Sequence, residues 1–393
     1  MSRYSALLKC RVKVSLCSFA ITQVLCLQVA FAQPESGPGT DPLIDAQSFL
    51  VQGDAEAALA TIEPYLKAEP RSREGAVIRI TAHVELGQTA DALRAYDEHI
   101  QATGLPDAGL LQMIATAELK TLSSQSSSVV RISALEILAR MGDPAALEAL
   151  ASERSARSIG PQRELVLDTA LASIGDADAL RRIHNLALDP TVVDHTAVAQ
   201  ALQRVSDSSS SEVLQQLLTA SNPLVRAIAA STLGSLGAND AIPQLLALLE
   251  DPRFYPRAAA AVALRQLGDP RAEPWLHQWL ESDAPDIRLL AAEAFASSDN
   301  REWVKAIEPL LQNAEGLTRL RAAELLLNRE PEPALEVLVA AIDDANPAIR
   351  AEAGRILGRA EHVDLAIYRR MLGDRDSSVR LHGADAILRQ GPP

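Results

Sequence analysis

The chain has 393 residues, 48% of them hydrophobic and only 3% aromatic, with 51 acidic against 37 basic side chains and a net charge of −14. A chain this acidic repels phosphate backbones, and no basic stripe runs through its periodic region, so nucleic acid is set aside as a partner. All three cysteines, Cys10, Cys17 and Cys26, precede residue 33, which leaves the rest without a thiol, a disulfide or a cysteine-based metal site.

The N-terminus reads as a targeting segment. Arg3, Lys9, Arg11 and Lys13 precede the apolar run "VSLCSFAITQVLCLQVAFA", which ends in Ala30-Phe31-Ala32, the pattern of a secretory signal peptide over 1–32 with the mature chain starting at Gln33. Removing it leaves 33 basic against 51 acidic residues, a net −18. The alternative is an uncleaved anchor, because the run approaches the ~20 residues that span a bilayer; membrane contact is expected only in that case. Arginine outnumbers lysine 32 to 5, a bias of G+C-rich bacterial genomes, so the expected location is the periplasm or beyond the cell. Residues 33–41, "QPESGPGTD", form a short flexible leader.

From residue 42 to 120 the chain repeats at 34 residues. "GDAEAALATIEPYLKAEP" from Gly53 is matched by "GQTADALRAYDEHIQATG" from Gly87, each a glycine turn followed by an amphipathic helix, and "PDAGLLQMIATAELKTL" adds one more helix. A Ser-rich joint, "SSQSSS" at 123–128, follows.

From 121 to 393 a shorter period takes over. Val225-Arg226, Pro256-Arg257, Ile287-Arg288, Leu320-Arg321, Ile349-Arg350 and Val379-Arg380 are spaced by 31, 31, 33, 29 and 30 residues. A fixed period near 30 marks a solenoid whose units cannot bury their apolar faces alone. Within a unit, Asn346 and Pro347 start one helix, while Gly268, Asp269 and Pro270 end one helix and start the next, so the two are antiparallel neighbours. Alanine pairs such as Ala229-Ala230 and Ala260-Ala261 permit close approach. The unit near Asp194-His195 is degenerate.

On these motifs residues 126–393 resemble HEAT repeats of the short PBS-lyase-like variety, and the 34-residue pair resembles TPR units, departing from that pattern at Ile80 and His83. The resemblance implies an all-α, right-handed α-solenoid of antiparallel helix pairs, TPR-like and then HEAT-like. Function varies within the HEAT-like family, from scaffolds to cofactor-attaching lyases.

No Gly-x-Ser-x-Gly, His-Glu-x-x-His, phosphate-binding glycine loop or EF-hand loop occurs. The seven histidines are scattered, and Asp374 and Asp376 fall where the repeat places a turn. No catalytic, cofactor-binding or metal-binding residue is therefore expected. The arginine ladder reads as a register device between units. Six aromatics, Phe254, Tyr255, Trp275, Trp279, Phe295 and Trp303, fall within 50 residues. If second helices line the concave face, Trp275 and Gln278 project into the groove while Trp279 joins the core. Phe254, Tyr255, Trp275 and Gln278 are thus the expected partner-binding residues.

The sequence reading is an exported, non-enzymatic scaffold or assembly factor that binds one or more envelope proteins. Two alternatives stand beside it: a cofactor-handling or lyase-like enzyme related to the bilin lyases, and a membrane-anchored structural envelope component.

Overall fold

A computed structural model describes residues 41–390, apart from 125–127, 157–159, 193, 297–300 and 361–362. The expected signal peptide, the leader up to residue 40, the middle of the Ser-rich joint and His362 lie outside the described residues. Every regular element among those described is helical, so the expectation of an all-α solenoid holds. None of these helices is long and apolar enough to cross a membrane.

Local chemistry places the boundaries. Four helices, α1 (Pro42–Val51), α2 (Ala55–Ala68), α3 (Arg73–Glu85) and α4 (Thr89–Thr103), form the first part. Asp54 and Ser72 cap α2 and α3 by accepting from the backbone N–H of Ala57 and Gly75. The turns end in left-handed glycines, Gly53 and Gly87, at φ of 79° and 71°. Ala46, Leu50, Ala58, Ile62, Leu66, Ile78 and Ala82 make a small core of their own.

A longer helix, α5 (Ala108–Ser123), follows, and then eight helix pairs and one unpaired helix. The first helices are α6 (Ser128–Arg140), α8 (Pro161–Ser173), α10 (His195–Val205), α12 (Pro223–Ser235), α14 (Phe254–Gln266), α16 (Pro285–Phe295), α18 (Gly316–Leu326), α20 (Pro347–Leu357) and α22 (Ser377–Arg389). The second helices are α7 (Pro144–Ser155), α9 (Ala177–Leu188), α11 (Ser211–Leu217), α13 (Ile242–Leu248), α15 (Glu273–Leu280), α17 (Glu302–Ile307), α19 (Pro331–Ala341) and α21 (Leu365–Leu372). Asn222 and Asn346 cap first helices that open on proline, and Asp143 and Asp176 cap second helices.

The arginine ladder is a register device, and its phase corrects the alignment read from sequence. Arg226 Nη1 donates to the carbonyls of Ala220 and Ser221 at 2.6 and 3.0 Å, closing off the end of the preceding second helix. Arg288, Arg350 and Arg380 repeat this on Ser282, Asp344 and Asp374 at 2.7, 2.9 and 2.9 Å. In the helix between, the residue that does so is Arg319, on Asn313 and Ala314, whereas Arg321 pairs with Glu293. The expected Leu320-Arg321 is therefore two residues out of phase, and the ladder 226, 257, 288, 319, 350, 380 keeps a step of 31, closing with one of 30.

The chain closes on itself. Among the described residues α22 is paired with α5, which takes the place of a second helix and packs along α22 and then along α6. Leu110, Leu111, Ile114, Ala115, Leu119 and Leu122 of α5 are fully buried there. Glu118, buried between them, accepts from Arg380 Nε at 2.7 Å and from Thr89 Oγ1 at 2.9 Å. Arg140 on α6 reaches Asp385 on α22 at 2.7 Å, and Arg369 on α21 pairs with Asp97 on α4 at 2.7 Å. Nine helix pairs thus form a ring, and the ninth joins the two ends of the chain.

Closure decides which layer is inside. Each first helix packs directly on the next all the way round, from α6 to α22 and back to α6, while second helices touch each other sparsely. The inner circumference of a ring is the shorter, so the layer in continuous contact is the inner one. The alanine pairs make this approach possible: Ala229, Ala230, Ala260, Ala261, Ala291, Ala292, Ala322 and Ala323 are all fully buried. At the tightest crossing a Cβ on Gly234 would lie 2.6 Å from the Cα of Ala263, so only glycine fits.

Candidate functional site

The inner wall is one stripe from each first helix. In α12 the stripe is Leu224, Ile228, Ser231 and Ser235, spaced by four, three and four residues, which is one face of a helix. The other faces are closed by packing. Stripe residues of neighbouring units meet: Arg321 Nη2 donates to Glu293 at 2.9 Å, Arg355 Nη2 to Glu324 at 3.0 Å, and Ser173 Oγ to Glu136 at 2.8 Å. Arg204 on α10 also bonds Glu136 on α6, spanning two units, which only a strongly curved inner face allows.

The wall has two unlike arcs. On α12 and α14 the stripe is uncharged, with Leu224 and Ile228 followed by Tyr255, Ala259, Val262 and Gln266, and Tyr255 is 58% exposed. From α18 through α22 to α6 it is charged. Units four and five of nine carry the first arc and units seven, eight, nine and one the second, so the middle of the second faces the first across the ring.

The charged arc is mostly self-compensated. Arg355 forms a two-point pair with Glu352 at 2.7 and 2.9 Å, which holds the Glu352 carboxyl below its usual range. Asp385 is held by Arg140 at 2.7 Å and by Arg389 at 2.9 Å. Two titratable side chains of this arc remain uncommitted among the described residues. The Arg359 guanidinium is exposed and makes no hydrogen bond or ion pair to another described residue, and the imidazole of His382 has no hydrogen-bonding partner among them. Burial pushes His382 below its usual value; Asp385 opposes that shift and Arg355 adds to it.

The aromatic residues expected to bind a partner are divided by the two layers. Trp275 and Gln278 lie on α15, a second helix, and so stand on the outside of the ring and not in the groove as expected, because the first helices form the inner layer. Trp275 is 41% exposed and its ring centroid lies 6.3 Å from that of Trp279. Trp279 packs partly buried against the core, as expected, with Phe254 edge-on to it at 5.3 Å. Tyr255 alone of the four belongs to the inner stripe. The residues that sequence reasoning missed, His382, Glu352, Asp385 and Arg359, carry one signal: each stands three, six or ten positions after the first residue of its unit's apolar–Arg pair. Two surface grooves, of about 790 and 500 Å³, lie apart from this wall, one along α11 and one between α19 and α21. Among the described residues no group of three or more His, Cys, Asp or Glu side chains could hold a metal ion.

The ring of paired helices with its arginine ladder defines a HEAT-repeat protein. Residues 188–265 and 242–328 match HEAT repeats, and residues 130–152 match the PBS lyase HEAT-like repeat. The phycocyanobilin lyase subunit beta of Nostoc sp. is 30% identical over 169 residues, 43% of this chain and 74% of that protein. The chain belongs to the PBS-lyase HEAT-like family that includes this subunit. Among solved structures it is similar to the complex of CpcE and CpcF of phycocyanin lyase from Nostoc sp., 24% identical over 58% of this chain and 92% of the other, with a TM-score of 0.38. It is also similar to human deoxyhypusine hydroxylase in complex with glycerol, 20% identical over 64% of this chain and 98% of the other, with a TM-score of 0.33.

The kinship overturns the expectation of a non-enzymatic scaffold. A protein matched over 74% of its length is a lyase subunit, so the lyase-like alternative takes precedence. No contiguous motif marks this alternative, because these repeats assemble their wall from scattered stripe positions.

Proposed function

We propose that the chain is a lyase-type protein that takes an open-chain tetrapyrrole on the inner wall of its ring. The observation that carries this reading is the kinship with the phycocyanobilin lyase subunit. The wall suits such a molecule. A tetrapyrrole has a flat apolar body and acidic side chains; Tyr255 and Leu224 offer the uncharged arc to the body, and Arg359 on the facing arc offers an unpaired guanidinium to a carboxylate. After residue 32 the chain has no cysteine, so a thiol acceptor for the pigment must belong to another protein.

The segment 1–32 is read as a cleaved export signal, which places the mature chain in the periplasm or outside the cell and makes its acceptor an envelope protein. Support comes from the basic start, the apolar run and Ala30-Phe31-Ala32. Helices α1 to α4 are read as two TPR-like units on the strength of their 34-residue spacing. The test is to titrate the chain from Gln33 with phycocyanobilin and follow the visible absorption. A saturable spectral change supports the reading, and spectra identical to free pigment at all protein concentrations overturn it. N-terminal sequencing of protein from cells decides the cleavage.

A further inference from the structure

We propose that His382 is the acid–base residue of the inner wall, serving the addition of a thiol across a conjugated carbon–carbon double bond of the bound tetrapyrrole. The proposal rests on the tetrapyrrole reading above.

His382 is set apart from the other described histidines. His83 is bonded to Gln88 at 2.9 Å and His184 to Ser210 at 2.8 Å. His99 is buried with its Nδ1 sealed from solvent. His277, on the second helix α15, lies tilted against Phe295 with ring centroids 4.9 Å apart, and His195 lines the groove along α11. His382 stands on the inner stripe of α22, and its imidazole makes no hydrogen bond to any described residue.

Its surroundings are charged, and the charges nearest it are held. Its own helix contributes Asp385, pinned by Arg140 from α6 and by Arg389. From α20 it faces Glu352 and Arg355, which are paired with each other, and Arg359. Both carboxylates are engaged by arginines and neither is bonded to the imidazole, which leaves its nitrogens to a ligand. The backbone carrying it is closely packed: a Cβ on Gly354 of α20 would lie 2.0 Å from the Met371 Cε and 3.5 Å from the His382 Cβ.

This setting suits proton transfer in both directions. Burial keeps the imidazole neutral at neutral pH, the form that accepts a proton. Once protonated, it is stabilised by Asp385 and Glu352. In the step proposed, the thiol proton moves to the imidazole and the sulfur bonds to one carbon of the double bond. The π pair shifts to the neighbouring carbon, which takes the proton back. One S–H and one π bond are lost, one C–S and one C–H bond form, and no electrons enter or leave.

The experiment uses the chain from Gln33 with phycocyanobilin and N-acetylcysteine, reading pigment binding by absorption and adduct formation by mass spectrometry between pH 5 and 9. In the wild type the adduct rate should rise through a step below pH ~6.5, the ordinary histidine value. His382→Gln should bind pigment within about twofold of wild type and form adduct on the order of 100-fold more slowly, with the step gone. Added imidazole should restore part of the rate to His382→Ala. A wild type that binds pigment and a Gln variant with the same rate and profile would remove His382 and leave the tetrapyrrole reading intact. A wild type that fails to bind pigment removes both. Should the Gln variant melt early, the wild-type profile decides, since a rate flat from pH 5 to 7 overturns the role.

Discussion

Arg380 in the last helix donates to Glu118 in α5 across 262 residues of sequence, at 2.7 Å, with the Glu118 side chain only 3% exposed. This pair sits where the two ends of the chain complete the ninth unit. Removing one partner of a buried ion pair strands the other, at about 3–5 kcal/mol. Arg380→Ala should therefore cost about that much in urea unfolding. Glu118→Gln, which keeps the bond from Thr89 in reach, should cost less. Equal, small losses from both would mean that the seam is held by its apolar contacts alone.

The ladder phase separates two arginines only two residues apart. Arg319 donates to two backbone carbonyls at 2.7 and 3.0 Å, whereas Arg321 makes an ion pair with Glu293 in which both side chains are more than a third exposed. Arg319→Ala should lower stability by about 1.5–3 kcal/mol, and Arg321→Ala by roughly 0–1 kcal/mol. Thermal melts of the two variants decide it, and the reverse order would restore the 33 and 29 spacing.

Acid should loosen the array. Arg271 holds Asp269 down to about 2. Burial is the largest single effect and raises Asp251 and Asp374, but the bonds from Arg226 and Arg350, the backbone N–H groups of Arg253 and Asp376 and the attraction of nearby arginines together outweigh it and leave both carboxyls below the usual range. An acid whose folded value is depressed contributes its full stability above the unfolded value of about 4 and loses it as pH falls toward the folded value. The melting temperature should thus be insensitive to these groups from pH 7 to 5 and should fall between about 4 and 2. Asp374→Asn should start lower and show a shallower fall, measured by circular dichroism across that window.

The two layers predict opposite outcomes for two aromatic residues close in sequence. Tyr255→Ala removes an exposed ring from the inner stripe and should weaken phycocyanobilin binding by about 0.5–1.5 kcal/mol, roughly 2- to 10-fold in Kd. Trp275→Ala, on the outside, should leave Kd unchanged. Absorption titrations of both variants check this, and a loss confined to Trp275→Ala would move the site to the outer face.

The local half of this architecture was legible in the sequence because its causes are local. Asn222, Asn346 and Asp143 cap helices through amides two residues away, Gly53 and Gly268 turn the chain with a positive φ, and the alanine pairs mark the close faces, so helix pairs and a period near 30 follow from residue type and spacing alone. The phase in α18 was not legible, since "TRLR" offers two arginines after apolar or β-branched neighbours and only the carbonyls of Asn313 and Ala314 choose between them. Nor was the closure, because Glu118 and Arg380 are separated by 262 residues and neither departs from an ordinary helix pattern. Once the ends meet, curvature forces the alanine-rich first helices inward, placing Tyr255 and His382 on the wall and Trp275 outside it. That choice depends on the sum of small rotations between successive units, a quantity that no single repeat carries.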